Sequence, residues 1–331
     1  MISRIASPAL AVSLVALTAC GAGTDGGVTD ERFVGSTGAV ASNGLEYAQK
    51  FSTKDDTIGV PISVRVLRSV PNETGTGASL VWSDAVITIS DSPQADGWKT
   101  RDMVMEIDGE TINIVERFST EGALGADEWR VWSYLQGGGV SAEAIYSYDA
   151  GTGDDFSEGT YLFGFETDPA TLGNSGSYAR YTGDFAGSGQ VYLANGATPS
   201  EYVYASGEFE IDVNFASGEV DGTLDGSVGS VAGYSYASNE FAAGFESEIV
   251  GNGFVADLEV TCTAECEDNG SFLGAAFYGR GASEVAGIAG LDFTLEGLSE
   301  TAGDPTNTTT GTFVGAVGLV SDQKIAGFEP F

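Results

Sequence analysis

Between residues 208 and 215 the chain alternates without a break, Glu208-Phe209-Glu210-Ile211-Asp212-Val213-Asn214-Phe215. A period of two places Phe209, Ile211, Val213 and Phe215 on one face and the acids and the amide on the other. That is the pattern of a strand with one face in a core and one in water. Ala216-Ser217-Gly218 then turns the chain into Glu219-Val220-Asp221-Gly222-Thr223-Leu224, which predicts an antiparallel hairpin. The same logic runs through the whole chain. Its 48 glycines and only 8 prolines in 331 residues imply many short strands joined by tight turns, with room for two domains or one large β domain.

The formal net charge is −35 and there is no histidine. A surface of that sign repels nucleic acid and anionic headgroups, so neither is expected as a specific partner. It suits a basic protein, a polycation, a divalent cation, or simply solubility in a salty medium. The missing histidine removes Ser-His-Asp and Cys-His catalysis, the usual zinc sites and the commonest haem ligand. Catalysis would have to rest on carboxylates, Tyr or Lys, and 48 carboxylates make any one glycosidase-like pair impossible to select.

Residues 1–20 carry one early cation, Arg4, and then a mainly apolar run too short to span a bilayer. The run closes with Leu17-Thr18-Ala19-Cys20, which resembles the bacterial lipobox. That resemblance implies a lipoprotein signal peptide over 1–20, with Cys20 as the acylated mature N-terminus anchored by several chains. Gly21, rather than Asp, at the following position is associated with delivery to the outer membrane. Residues 21–30 are Gly-rich and predict a flexible tether. They also spell G-x-G-x-x-G, but no strand precedes it and no helix follows, so the dinucleotide reading is void.

Strand-like segments follow at 62–66, 86–89, 103–107, 111–115, 129–135, 144–148 and 160–165, with Asp108-Gly109-Glu110 a hairpin signal between the third and fourth. Residues 45–51 predict a short helix. We read 31–172 as a β-rich first domain, with a boundary around Asp168-Pro169-Ala170-Thr171-Leu172-Gly173-Asn174-Ser175. In 173–331 the candidates are 177–185, 190–194, 208–215, 219–224, 240–249, 252–262, 270–279, 284–295 and 310–319.

The stretch Phe277-Tyr278-Gly279, a turn, and Ala282-Ser283-Glu284-Val285-Ala286-Gly287 resembles the β-barrel domain of transferrin-binding protein B and related surface lipoproteins. Family members usually carry Pro after the first Gly, where this chain has Arg280. Ser175-Gly176-Ser177-Tyr178-Ala179-Arg180-Tyr181-Thr182-Gly183 is similar to the family's first barrel strand, and the 208–224 hairpin also resembles it. The resemblance covers roughly residues 160–320. It implies an all-β protein, a C-terminal eight-stranded antiparallel barrel preceded by a smaller β-rich handle-like domain. It further implies a single-lobed, lipid-anchored outer-membrane binding protein at the cell surface, non-enzymatic and without a cofactor. Iron-source or other nutrient acquisition is the expected role, and the partner is a protein or a small ligand. The family's contact residues match no position here.

Cys262 and Cys266 remain once Cys20 is lipidated, and an exported chain most simply pairs them. Four residues of extended strand span about 13 Å, so a disulfide requires 263–265 to fold back as a loop. A metal-binding cysteine pair is the alternative. Asp149, Asp154, Asp155 and Glu158 form an acidic loop that is either solvated or a Ca²⁺ ligand set. Trp129, Trp132, Tyr134, Tyr146 and Tyr148 are core residues or partner anchors. Phe331 ends the chain as in many membrane barrels, but Glu329-Pro330 would spoil a final membrane strand. Three other functions stand beside surface binding: a periplasm-facing or surface barrel that carries a small apolar ligand inside it, a structural lipoprotein, and a carboxylate hydrolase. Bulky interior side chains would count against the carrier.

Overall fold

The computed structural model describes residues 30–34 and 59–327, less 92–100, 117–127, 137–141, 150–157, 195–201, 230–238, 300–307 and single positions 33, 60, 73, 75, 108, 165, 264 and 280. Two sheets account for nearly all of it. The first runs through β1 (Pro61–Pro71), β2 (Ala78–Asp91), β3 (Arg101–Ile107), β4 (Glu110–Glu116), β5 (Glu128–Gln136), β6 (Ala142–Asp149) and β7 (Glu158–Gly164) in sequence order. All seven predicted strands fall on these elements, except that Phe165, the last residue of the seventh, lies outside the described residues. The predicted helix at 45–51 lies outside the described residues. Gly109, at φ +85°, takes the left-handed position in the β3–β4 turn that a side chain would resist.

This first sheet closes on itself, which the sequence did not reveal. Val66, Leu67 and Arg68 of β1 pair with Tyr161, Thr160 and Gly159 of β7. Its pairings are antiparallel except β4 with β5. Val64, Val66, Ala85, Ile87, Met105, Ile107 and Tyr161 are buried. Among them Arg68 donates to Ser83 Oγ at 2.8 Å.

Asp168 then caps a short 3-10 turn, Pro169–Asn174, accepting from the Ala170 N–H at 2.9 Å. Proline suits the turn's start because its missing N–H has no bond to lose there. The second sheet comprises β8 (Tyr178–Leu193), β9 (Tyr202–Asn214), β10 (Glu219–Val228), β11 (Glu240–Glu248), β12 (Gly253–Asp257), β13 (Glu259–Cys262), β14 (Cys266–Asp268), β15 (Phe272–Tyr278), β16 (Glu284–Ser299) and β17 (Thr308–Ala326). β12 and β13 are one strand bent at Leu258, its first half paired with β15 and its second with β11, and this closes the ring. β14 and β15 both pair with β16 and form another interrupted strand. Counted that way, the C-terminal sheet is the expected eight-stranded antiparallel barrel.

One expectation is corrected here. Residues 177–185 and 190–194 read as two segments, yet β8 runs unbroken through the Ala186-Gly187-Ser188-Gly189 between them. Gly187 and Gly189 lie across from Val317 and Gly315 of β17, where a side chain would overlap the neighbouring backbone. These glycines serve close approach between strands, not a change of direction.

The alternating face read from residues 208–215 does point inward: Phe209, Ile211 and Val213 are buried in the barrel core, and Phe215 packs against it. Phe241, Phe293 and Phe313 form a chain of tilted rings 5.3 and 5.6 Å apart. Phe254 stacks on Phe245 at 5.9 Å and meets Phe277, tilted, at 6.1 Å. Each buried aromatic side chain stabilises by roughly 1.5–3 kcal/mol, with about 0.5–1.5 kcal/mol more per ring pair. At one end the 279–283 turn folds into the barrel: Ala282 is fully buried, and its carbonyl accepts from the Tyr181 hydroxyl at 2.6 Å.

The first barrel packs against the outer wall of β15–β17. Leu67 and Leu162 meet Phe272, Ala276, Tyr278, Ala286, Ile288, Ala316 and Val320 in a second apolar cluster. Thr160 Oγ1 donates to the Ala316 carbonyl at 3.2 Å, and Ser69 Oγ to that of Val314 at 3.4 Å. Small residues on this stretch of wall let the two layers come close.

Candidate functional site

The wall formed by β15–β17 is covered by the first barrel; among the described residues nothing comparable packs on that of β9–β13. There the alternation that sends Phe209, Ile211, Phe241 and Phe245 inward sends carboxylates outward. Strand register lines them up across the barrel. Arg180 on β8 stands opposite Asp212 on β9, Asp212 opposite Asp221 on β10, and Asp221 opposite Glu246 on β11. Continuing the β11–β13 register places Glu246 opposite Asp257 on β12. Four carboxylates therefore form one row, with an arginine at each end.

At one end Arg180 holds Asp212 with two parallel bonds, Nε to Oδ1 at 2.7 Å and Nη2 to Oδ2 at 2.6 Å, and reaches Glu210 at 2.9 Å. The bond to Asp212, and then the fields of Asp212, Glu210 and Asp221, outweigh burial and raise the guanidinium pKa further. At the other end Arg32 pairs with Asp257. Of the two inner acids, Asp221 is pushed above the usual carboxylate range, first by desolvation and then by the negative fields of Asp212 and Glu246.

The row crosses an open groove of about 1100 Å³ that Glu219, Glu248 and Glu259 also line. Its floor contains an interruption in the sheet. β11 and β12–β13 are the arms of a hairpin that bridges at Val250 and Gly253 and is laddered again from Gly244 and Glu259 onward. Between those points no ladder forms, and Ser247 Oγ donates across the gap to the Val255 carbonyl at 2.6 Å. Like charges facing each other, Glu246 and Asp257, oppose closure there. Chemically the groove attracts cations. Among the described residues no three acidic or sulfur side chains gather closely enough to hold one metal ion.

Of the residues singled out from sequence, Cys262 and Cys266 are joined as a disulfide with Cα atoms 5.7 Å apart. The chain folds back between β13 and β14 as the spacing required, and neither cysteine is available as a metal ligand. Leu17, Thr18, Ala19 and Cys20 lie outside the described residues. So do the side chains of Asp149, Asp154, Asp155 and Glu158, and those of Trp129, Trp132, Tyr134, Tyr146 and Tyr148. Sequence reading missed the acidic row. Glu210 and Asp212 were visible as the polar face of one strand, but their alignment with Asp221, Glu246 and Arg180 exists only through cross-strand register, and Arg32 joins the row only by docking on Asp257. The barrel interior is filled by aromatic and branched side chains. That filling counts against a small ligand carried inside it.

No family model matches this chain, and no curated protein does. Among solved structures the chain is similar to a tryptophan-to-alanine mutant of the vaccine antigen transferrin-binding protein B from Haemophilus parasuis, at 11% identity and a TM-score of 0.33. The similarity covers 80% of this chain and 66% of that one, just under two thirds of its length. At that score it transfers no residue and no role.

Proposed function

We propose that this chain is a non-enzymatic binding protein, held through lipidated Cys20 on the outer membrane and facing the cell exterior, where it captures a protein partner for nutrient acquisition. The observation that carries this reading is the contrast between the barrel's two sides. Its inside is packed with rings such as Phe241, Phe254 and Phe293, so recognition has to happen on the outside. Outside, the wall of β9–β13 is acidic and, among the described residues, open. A rigid barrel presents that wall and its loops at little entropic cost on binding. By charge the wall suits a basic protein surface, and steering at low ionic strength would speed the encounter. The iron-source role rests on the family resemblance of the Phe277-Tyr278-Gly279 and Ala282-Ser283-Glu284 stretch alone.

The test is protease shaving of intact cells, followed by mass spectrometry for peptides from residues 31–331, with an inner-membrane and a periplasmic protein as integrity controls. Release of those peptides while both controls stay protected is the expected result. Peptides released only after the outer membrane is breached would end the surface-binding reading.

A further inference from the structure

Residues 30–34, next to the tether, reach the crease between the two barrels. The Arg32 guanidinium lies over the Phe272 ring, 5.7 Å from its centroid. It bonds Asp30 at 2.9 and 2.7 Å and pairs with Asp257 of β12. The Arg32 carbonyl oxygen sits against Gly274 of β15, at a place a side chain on Gly274 would occupy. Two residues on, Val34 is 7% exposed and belongs to the apolar cluster shared by Leu67 and Leu162 of the first barrel and Phe272, Ala276 and Tyr278 of the second. Arg65 of β1 donates to the Glu31 carbonyl, and its own guanidinium covers the Trp82 ring at 4.7 Å.

These contacts are of different kinds and involve both barrels. Glu31 is held by the first, Arg32 by the second, and Val34 by the cluster common to both. An isolated ion pair at a surface contributes little. Here the pair is backed by a cation–π contact, a buried side chain and a backbone approach that only glycine permits.

We propose that residues 30–34 are an intramolecular strap, laid along β15, that holds the first barrel on the second and makes the preceding chain leave from one point on the wall beside Asp257. The strap itself does not depend on lipidation. A consequence does rest on the anchor reading of Cys20. The nine residues 21–29 span at most about 30 Å, so the strap keeps the Asp257 end of the acidic row within that reach of the anchor.

The experiment is hydrogen–deuterium exchange with mass spectrometry on the full chain, comparing wild type with Arg32→Ala and Val34→Asp. Both substitutions lie outside either barrel's ladder, so both barrels keep their own strand pairing. The strap predicts that wild-type amides at 30–34 exchange at least tenfold more slowly than those at 21–29. It also predicts that both variants lose this protection and that the crease side chains Leu67 and Phe272 become oxidised at least tenfold faster in hydroxyl-radical footprinting, while amide exchange at 209–213, in the wall away from the crease, stays unchanged. Wild-type protection at 30–34 no greater than at 21–29 would overturn the proposal. So would variants that leave the crease unchanged, or that speed exchange equally at 209–213. Each of these outcomes can be read whether or not Cys20 is lipidated, so the strap and the anchor fail separately.

Discussion

Asp221 shows how a single residue reports the character of the acidic row. Its folded pKa is raised above the ordinary value of 3.8, so the folded chain binds that proton more tightly than the unfolded chain does. The stability it contributes is fully present below 3.8 and is lost as pH rises through the raised value. At neutral pH the ionised group therefore works against folding. Asp221→Asn is expected to raise the urea midpoint slightly at pH 7 and to leave it unchanged at pH 3; in 1 M salt the effect should shrink but persist, because the fields of Asp212 and Glu246 are screened while the larger cause, desolvation, is not. Tyrosines govern the other end of the pH scale. Burial pushes Tyr192 up to about 12 and Tyr181 higher still, and burial, aided by the Glu166 charge, holds Tyr278 well above its ordinary range. Their stabilising contribution holds below pH 10 and is lost as pH rises through 10 to 12 and beyond, so unfolding free energy should fall steeply over that range. Tyr181→Phe would make the fall shallower, at a cost of about 1 kcal/mol at pH 7 for its bond to the Ala282 carbonyl. Equilibrium unfolding at stepped pH measures both.

At the scale of elements, the bent strand β12–β13 is the piece on which barrel closure turns, because each half pairs with a different neighbour. The Cys262–Cys266 disulfide sits where β13 ends and β14 begins, pinning the second half. A loop this short removes only a modest amount of unfolded-state entropy, about 2 kcal/mol. Reduction, or the Cys262→Ser/Cys266→Ser pair, is therefore expected to lower unfolding free energy by about that much and to loosen β13 before β12. Urea unfolding with and without reductant checks the first, and amide exchange the second. The β11–β12 opening belongs to the same region. There the row's own charge competes with the hairpin's ladder.

For the whole molecule, a net charge of −35 makes self-repulsion a standing cost of compactness. Adding salt from low ionic strength to about 0.5 M should raise the melting temperature, with most of the gain complete once the screening length falls to roughly 4–5 Å. With no histidine in the chain, few side chains titrate between roughly pH 6 and 9. Stability should be nearly flat across that span. A melting-temperature grid of pH against salt tests both, and a steep pH dependence near 7 would contradict the second.

Much of the architecture could be read along the chain, because a strand's burial pattern is local. Phe209, Ile211 and Val213 declare their face by period two, and the spacing of Cys262 and Cys266 demands a fold-back whatever lies around it. Local pattern misled at Gly187 and Gly189, since glycine has the same appearance in a turn and in a strand pressed against its neighbour. Tertiary structure alone decided three things: the closure of β1 on β7, the alignment of Arg180, Asp212, Asp221 and Glu246 in one row, and the docking of Arg32 and Val34 at the crease. The first and third join segments far apart in sequence, and the second needs the exact register of four successive strands. The chain's own periodicity fixes the face a side chain takes, but carries no record of its partner.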